Sequence, residues 1–162
     1  MPVAPDGVEF ELFTTLTELP PYNEDLDRDD GPVAVRRLRT AMSAADALVV
    51  ATPEYNGSIP GHLKTAIDWA SRPTGAGALA GKPTAVIGAS TGSFGGLRAQ
   101  DDLRKILRIA GARVLPDGIA IADASRAFDD RGRLRRHGLH GHLQELLSTL
   151  IRECDRDCRL AA

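Results

Sequence analysis

The sequence predicts an α/β domain in which helices sandwich a parallel β-sheet. Three observations carry that expectation. Ala47-Leu48-Val49-Val50-Ala51 and Thr84-Ala85-Val86-Ile87-Gly88-Ala89 are short runs with the composition of strands covered on both faces. Each leads through a loop of small and polar residues into a segment with apolar residues at helical spacing. The length of 162 residues suits one such domain, because single cores hold about 100–200 residues.

From the N-terminus, Val8, Phe10 and Leu12 alternate with Glu9 and Glu11, the period of a strand with one wet face. Leu19-Pro20-Pro21-Tyr22-Asn23-Glu24-Asp25 is a loop by its prolines and polar residues. Asp30 and Pro32 begin a helix whose stripe, Val35, Leu38, Arg39 and Met42, runs to about Ser43. After the strand at 47–51 comes a loop, Thr52 to Ser58. Ser58 can cap the next helix, with Pro60 in its first turn and Leu63, Ala66, Ile67 and Ala70 as its stripe, ending before Pro73. Residues 74–82 form a Gly/Ala-rich connection to the strand at 84–89. Ser90 to Gly96 is a second glycine-rich loop, and Leu97 to Ala110 a helix stopped by Gly111. Arg113-Val114-Leu115 and Ile119-Ala120-Ile121 supply two short strands. A final helix spans about Leu139 to Arg152, giving a domain over 1–152 and a tail over 153–162.

Composition narrows the function classes. Hydrophobic residues at 43% and charged residues at 26% are ordinary for a globular chain, and a formal charge of −2 gives no reason to expect a nucleic-acid or membrane partner. No apolar run approaches the roughly 20 residues that span a bilayer. The N-terminus lacks a basic-then-apolar leader pattern, so a cytoplasmic protein is expected. Cys154 and Cys158 have neither the spacing of a thioredoxin-type pair nor a histidine cluster to complete a zinc site. His137, His140 and His142 crowd a Gly- and Arg-rich helix approach, which reads as a solvated helix start. No metal is expected.

In open parallel sheets ligands bind beyond the C-terminal strand ends. Thr52–Ser58 and Ser90–Gly96 both lie there, and both are rich in residues that let backbone N–H groups approach a ligand. Both lead to helix N-termini, where the dipole favours negative charge. A planar, hydrogen-bonding cofactor suits the pair, although either loop alone is explained more simply as a tight turn. Gly88-Ala89-Ser90-Thr91-Gly92 has the letters of a G-x-S-x-G nucleophile elbow, with Asp117 or Asp123 and a histidine from His137, His140 and His142 in the right order. The expected helix start at Gly96 or Leu97 is late for an elbow, and no HGGG-like segment is present, so a serine hydrolase using Ser90 is a remote reading. The loop is neither a G-x-G-x-x-G nor a Walker motif.

The block from Ala51-Thr52-Pro53-Glu54-Tyr55-Asn56-Gly57-Ser58 to Asp68-Trp69-Ala70-Ser71-Arg72-Pro73 resembles the signature of the NAD(P)H-dependent FMN reductase family. Gly81-Lys82-Pro83, Gly88-Ala89-Ser90, Gly95-Gly96-Leu97-Arg98-Ala99-Gln100 and Gly111-Ala112-Arg113-Val114-Leu115 are similar to the later segments of that family, and the likeness covers roughly residues 6–152. The resemblance implies a three-layer flavodoxin-like fold, FMN as cofactor and NAD(P)H as co-substrate. It also implies electron transfer to flavin, quinone, azo or similar small-molecule acceptors, by a homodimer or homotetramer. Carried onto matching positions, Pro53, Glu54, Tyr55, Asn56 and Gly57 would lie against the isoalloxazine ring near its N5/O4 edge. Ser90, Thr91, Gly92 and Gly95 would approach the pyrimidine side. No catalytic side chain is implied, because the cofactor carries the chemistry. Ser58, Leu63, Ile67 and Trp69 read as cap and core, and Glu54, Tyr55, Lys64, Arg98 and Gln100 as candidates for subunit contacts.

One departure stands out. Chains of that family open with an apolar strand and a Ser-x-Arg-x-x-Ser-type loop that holds the FMN phosphate, whereas Met1 to Gly7 here match the stretch just before the family's second strand. The expectation is therefore a sheet without its first strand, with the Val8–Phe13 segment pairing directly with 47–51, displaced, or paired with another chain. Charge-assisted bonds to phosphate contribute about 1.5–3 kcal/mol each, so FMN binding would be weakened. A start codon assigned too far downstream is the expected cause. The alternatives are a deliberately shortened chain or a flavin-free, catalytically silent binding or regulatory protein of the same fold.

Overall fold

The computed structural model describes residue 5, residues 7–135 and residues 137–160, with the side chains of residues 137 and 156–160 excepted. Three parallel strands, β1 (Leu48–Thr52), β2 (Pro83–Ala89) and β3 (Arg113–Ile121), lie in the order β1-β2-β3. The helices are α1 (Val33–Ala44), α2 (Gly61–Ala70), α3 (Leu97–Ile109), α4 (Ala124–Ala127) and α5 (His137–Leu160). Two 3-10 turns, Leu16–Glu18 and Glu24–Leu26, precede α1.

Alternation along β2 divides the core. Val86 faces a cluster built from Val35 and Leu38 of α1, Ile67 and Trp69 of α2, and Leu103 and Leu107 of α3. Ala85 faces the opposite cluster, with Leu115 and Ile119 of β3 and Leu146 and Leu150 of α5. The result is three layers, with α1 to α3 on one side of the sheet and α5 on the other. Because both faces are covered, the strands need apolar residues at successive positions, which explains the continuous runs in the sequence. The Trp69 ring is fully buried, donates its indole N–H to the Pro20 carbonyl at 2.8 Å, and meets Tyr22 edge-on at 4.8 Å. Arg39 donates twice to the Trp69 carbonyl (3.0 and 2.8 Å) and pairs with Asp27 at 2.8 Å, so the charged member of the α1 stripe closes the end of α2. Helix α3 ends as expected at glycine: Gly111 has φ +96°, and the amides of Gly111 and Ala112 donate to Arg108 and Leu107 in a Schellman arrangement.

Three expectations are corrected. Residues 8–15 form no strand, and Phe10 and Leu12 are exposed while Phe13 packs on the core. A strand needs a partner ladder, and β1 pairs only with β2 among the described residues, so the alternating segment lies displaced from the sheet. The two short strands expected at 113–115 and 119–121 are one strand. Its register slips between Thr84 and Val86, where β3 advances from Val114 to Gly118. Pro116, which cannot donate to a ladder, sits in that bulge. Helix α5 runs on past Arg152 to Leu160, and the Cys154 thiol is half-buried near the Asp46 carbonyl. Among the described residues no helix is long and apolar enough to cross a membrane.

Candidate functional site

The register places the C-terminal ends of all three strands on one edge, with Thr52 opposite Gly88 and Ala89 opposite Ile121. Three loops rise from that edge. The first forms a miniature hairpin: the Tyr55 amide donates to the Ser58 carbonyl at 2.9 Å, and the Ser58 amide donates back to Tyr55 at 3.0 Å. Its two central residues, Asn56 (φ +53°) and Gly57 (φ +78°), have the left-handed torsions of a type I′ turn. The Asn-Gly dipeptide is itself the sequence signal for such a turn. Ser58 does not cap α2, whose N-cap is Pro60; its hydroxyl donates instead to the Asp102 carboxylate of α3 at 2.7 Å. The first loop is thereby tied to the helix that succeeds the second.

The second loop has a buried heel, Gly95-Gly96, and an exposed crest, 91–94. Its Ser90 amide donates to the Ile121 carbonyl (3.0 Å), and the amides of Asp123 and Ala124 donate to Gly92 (3.3 Å) and Ser90 (3.0 Å). The third loop, at 122–124, therefore braces the second, and Asp123 adopts φ +49° to do so. Sequence reading missed that brace, because the segment carries no glycine to mark its turn. Gly95 (φ +59°) lies so close to β3 that a Cβ there would fall within 2.8–2.9 Å of backbone atoms of Ala120, Ile121 and Ala122. At Gly96 a Cβ would sit 3.9 Å from the Glu54 Cβ and 4.0 Å from its amide nitrogen, so the two main loops touch.

The structure brings the sequence-predicted residues Pro53 to Gly57 and Ser90 to Gly95 onto one rim. The amides of Glu54, Asn56, Thr91, Ser93 and Phe94 donate to no protein acceptor among the described residues. Glu54 keeps one carboxylate oxygen buried without a donor, and Tyr55 and Phe94 stand exposed, one on each loop. Lys64 is engaged with Asp68 of its own helix, and the Arg98 guanidinium lies 5.8 Å from the Phe94 ring centre. Gln100 is wholly buried and bonded within its own chain, so it is unavailable for a subunit contact. The Ser90 hydroxyl accepts the Gly92 amide at 3.2 Å, and seven residues (90–96) separate β2 from α3, unlike the sharp turn of a nucleophile elbow. The side chains of Cys158 and His137 lie outside what the structure describes. Among the described residues no three metal-ligating side chains converge. Asp129 is held below the usual carboxylate range chiefly by the Arg133 amide, against opposing desolvation and with help from the Arg133 side chain and the Arg131 amide; it lies beyond α4, not on the rim. This is a site of backbone donors and small residues, suited to orienting a planar acceptor of hydrogen bonds.

Comparison with known proteins agrees with that chemistry. The family model for NADPH-dependent FMN reductases matches residues 2–126. An NAD(P)H-dependent FMN reductase of Pseudomonas aeruginosa is 44% identical over 150 residues, covering 91% of this chain and 80% of the relative. A quinone reductase of Pseudomonas putida is 39% identical over 134 residues, covering 82% and 71%. Among solved structures, FerB from Paracoccus denitrificans, a flavoenzyme NAD(P)H:acceptor oxidoreductase, superposes with a TM-score of 0.77 at 36% identity over 87% of this chain and 78% of its own. On the match to the family model and the identity to these relatives, the chain belongs to the NADPH-dependent FMN reductase family.

Proposed function

We propose that this protein is an FMN-dependent oxidoreductase that passes electrons from NAD(P)H to quinone-like or flavin acceptors. The observation that carries the reading is the pair of touching loops at the C-terminal edge of the sheet, with amides that no protein group uses among the described residues. The ring end of FMN fits this donor set. Pro53, Glu54, Tyr55, Asn56 and Gly57 would hold one edge of the ring, and Ser90, Thr91 and Gly92 the other, with Gly95 setting the loop's path. FMN held there would supply the two-electron chemistry that links the nicotinamide to the acceptor. The protein's part would be to orient the ring and to offer preorganised N–H donors from the two loops to its oxygen-bearing edge. Exposed Tyr55 and Phe94 offer apolar surface beside the ring for the second substrate.

The test is spectroscopic. Purified protein mixed with FMN is expected to retain a visible flavin band through gel filtration, and to oxidise NADPH on addition of benzoquinone. Double-reciprocal plots with both substrates varied are expected to run parallel. A protein that stays colourless with FMN defeats the reading and supports a flavin-free binding role. The reading extends to a cytoplasmic homodimer or homotetramer, as family membership supports. A monomer in sedimentation at micromolar concentration counts against the oligomer, and recovery with membranes on cell fractionation counts against the location.

A further inference from the structure

Beneath the second loop lies a buried polar side chain around which the backbone is cut away. Gln100, in the first turn of α3, has no exposed surface. Its amide nitrogen donates to the Ile119 carbonyl of β3 at 3.1 Å and to the Gly95 carbonyl at 3.4 Å. Its oxygen accepts from Arg104 at 3.2 Å, and Arg104 in turn pairs with Asp101 at 3.1 Å. Two glycines make room for this chain. A Cβ at Gly88 would come within 2.8 Å of the Gln100 amide nitrogen, and one at Gly118 within 3.1 Å of its oxygen.

Arginine has only donors and a backbone carbonyl only an acceptor, so the Gln100 amide has a single satisfied orientation. Arg104 holds the oxygen, and the NH2 group must face Gly95 and Ile119. The heel of the second loop is thus pinned to β3 by a side chain whose rotation is itself blocked. Resting on the flavin reading, we infer that Gln100 is the positioning residue of the second loop. Through the Gly95 carbonyl it fixes the crest, whose unpartnered amides would face the cofactor ring. Arg104 sets the Gln100 orientation.

Gln100→Glu separates this role from packing. The variant keeps the side-chain size and the acceptor for Arg104, withdraws both donors, and turns a carboxylate oxygen toward two carbonyls. A negative charge in the first turn also favours α3 itself, so the helix is preserved. In protein without flavin, hydrogen exchange at the Gly95, Leu97, Asp123 and Ala124 amides is expected to accelerate about tenfold or more, with α5 amides unchanged. FMN affinity, read by fluorescence quenching, is expected to fall about tenfold. A folded Gln100→Glu protein with wild-type exchange at those amides overturns the inference, as does wild-type FMN affinity. If that variant does not fold, Arg104→Met decides: it leaves the Gln100 donors but frees their orientation, and unchanged exchange at the same amides overturns the inference. Wild-type protein that takes up no FMN would instead sink the flavin reading, leaving the exchange data to judge the Gln100 pin.

Discussion

The two loops that form the rim reach their shapes by opposite routes. The first is closed by its own backbone, through the reciprocal Tyr55–Ser58 bonds around Asn56-Gly57. The second has no reciprocal backbone pair, only single turn bonds such as Gly95 to Gly92, and is shaped mainly from outside, by β3, by the 122–124 brace and by Gln100. Their glycines differ accordingly. Gly57 supplies only a torsion, since a Cβ there would meet nothing within 4 Å, whereas Gly95 supplies a torsion and a space that backbone already occupies. A loop that folds itself can be transplanted or trimmed; a loop moulded by its neighbours is only as good as the packing beneath it.

The largest expected effect tests that distinction directly. Gly95→Ala meets both the left-handed cost of about 1–2 kcal/mol and overpacking of about 1–3 kcal/mol against backbone that cannot swing aside. A loss of about 2–5 kcal/mol in urea unfolding is expected, the sum of those two costs, with FMN binding lost at temperatures where the variant remains folded. A loss below about 1 kcal/mol would erase the contrast with the first loop. Gly57→Ala carries the torsional cost alone, about 1–2 kcal/mol. Gly57→Asn, whose side chain tolerates that region, is expected to lie within about 0.5 kcal/mol of wild type. Equal losses for the two Gly57 variants would show that something other than torsion selects glycine there.

The same distinction governs what the sequence made visible. β1, β2, α2 and α3 were legible because their signals are local: apolar runs, a 3.6-residue stripe, a proline at a helix start and Gly111 at a helix end. The Val8–Leu12 alternation was legible as a pattern but not as a strand, because period-2 spacing fixes a face while pairing is decided by what lies alongside. The continuity of β3 across Pro116 was hidden for the reason that proline normally ends a ladder. In the site, the first loop was marked by family likeness alone, although its Asn56-Gly57 dipeptide carries a local turn signal. The Ser58–Asp102 bond spans 44 residues, and the Gln100 contacts reach 19 residues to Ile119, so no local rule foretold either. Read as a cap and as a subunit contact, these side chains proved to be ties between loop and helix.

Ser58→Ala asks how much the first loop depends on its side-chain hydrogen bond to α3. Removing the bond to the exposed Asp102 carboxylate is expected to cost about 0.5–1 kcal/mol, less than either glycine-to-alanine change. A double-mutant cycle with Asp102→Ala checks it, with a coupling of the same size expected. Coupling near 2 kcal/mol, at the upper end for neighbouring residues, would mean that the hairpin is moulded by α3 rather than self-closed.

The smallest effect concerns a turn beyond the rim, where Phe128 and Leu134 bridge and closure depends on a carboxylate rather than on backbone alone. Asp129 accepts the amides of Arg131 and Arg133 at 2.9 Å each, and pairs with the Arg133 guanidinium at 2.8 Å. The Arg133 amide is the main cause of its lowered pKa. A folded value below the unfolded one means that the ionised form is the one the fold prefers. Its contribution is full above the unfolded value of about 3.8 and is lost as pH falls through the lower folded value. The Arg131 and Arg133 amide resonances are therefore expected to shift together on acidification below about pH 4. Asp129→Asn should abolish that titration. The Tyr55 and Ser58 amides, whose acceptors are backbone carbonyls, should show no matching transition. A shared midpoint at Tyr55 and Arg133 would show that the rim hairpin, too, hangs on a titrating group, and that its closure is less local than its bonds imply.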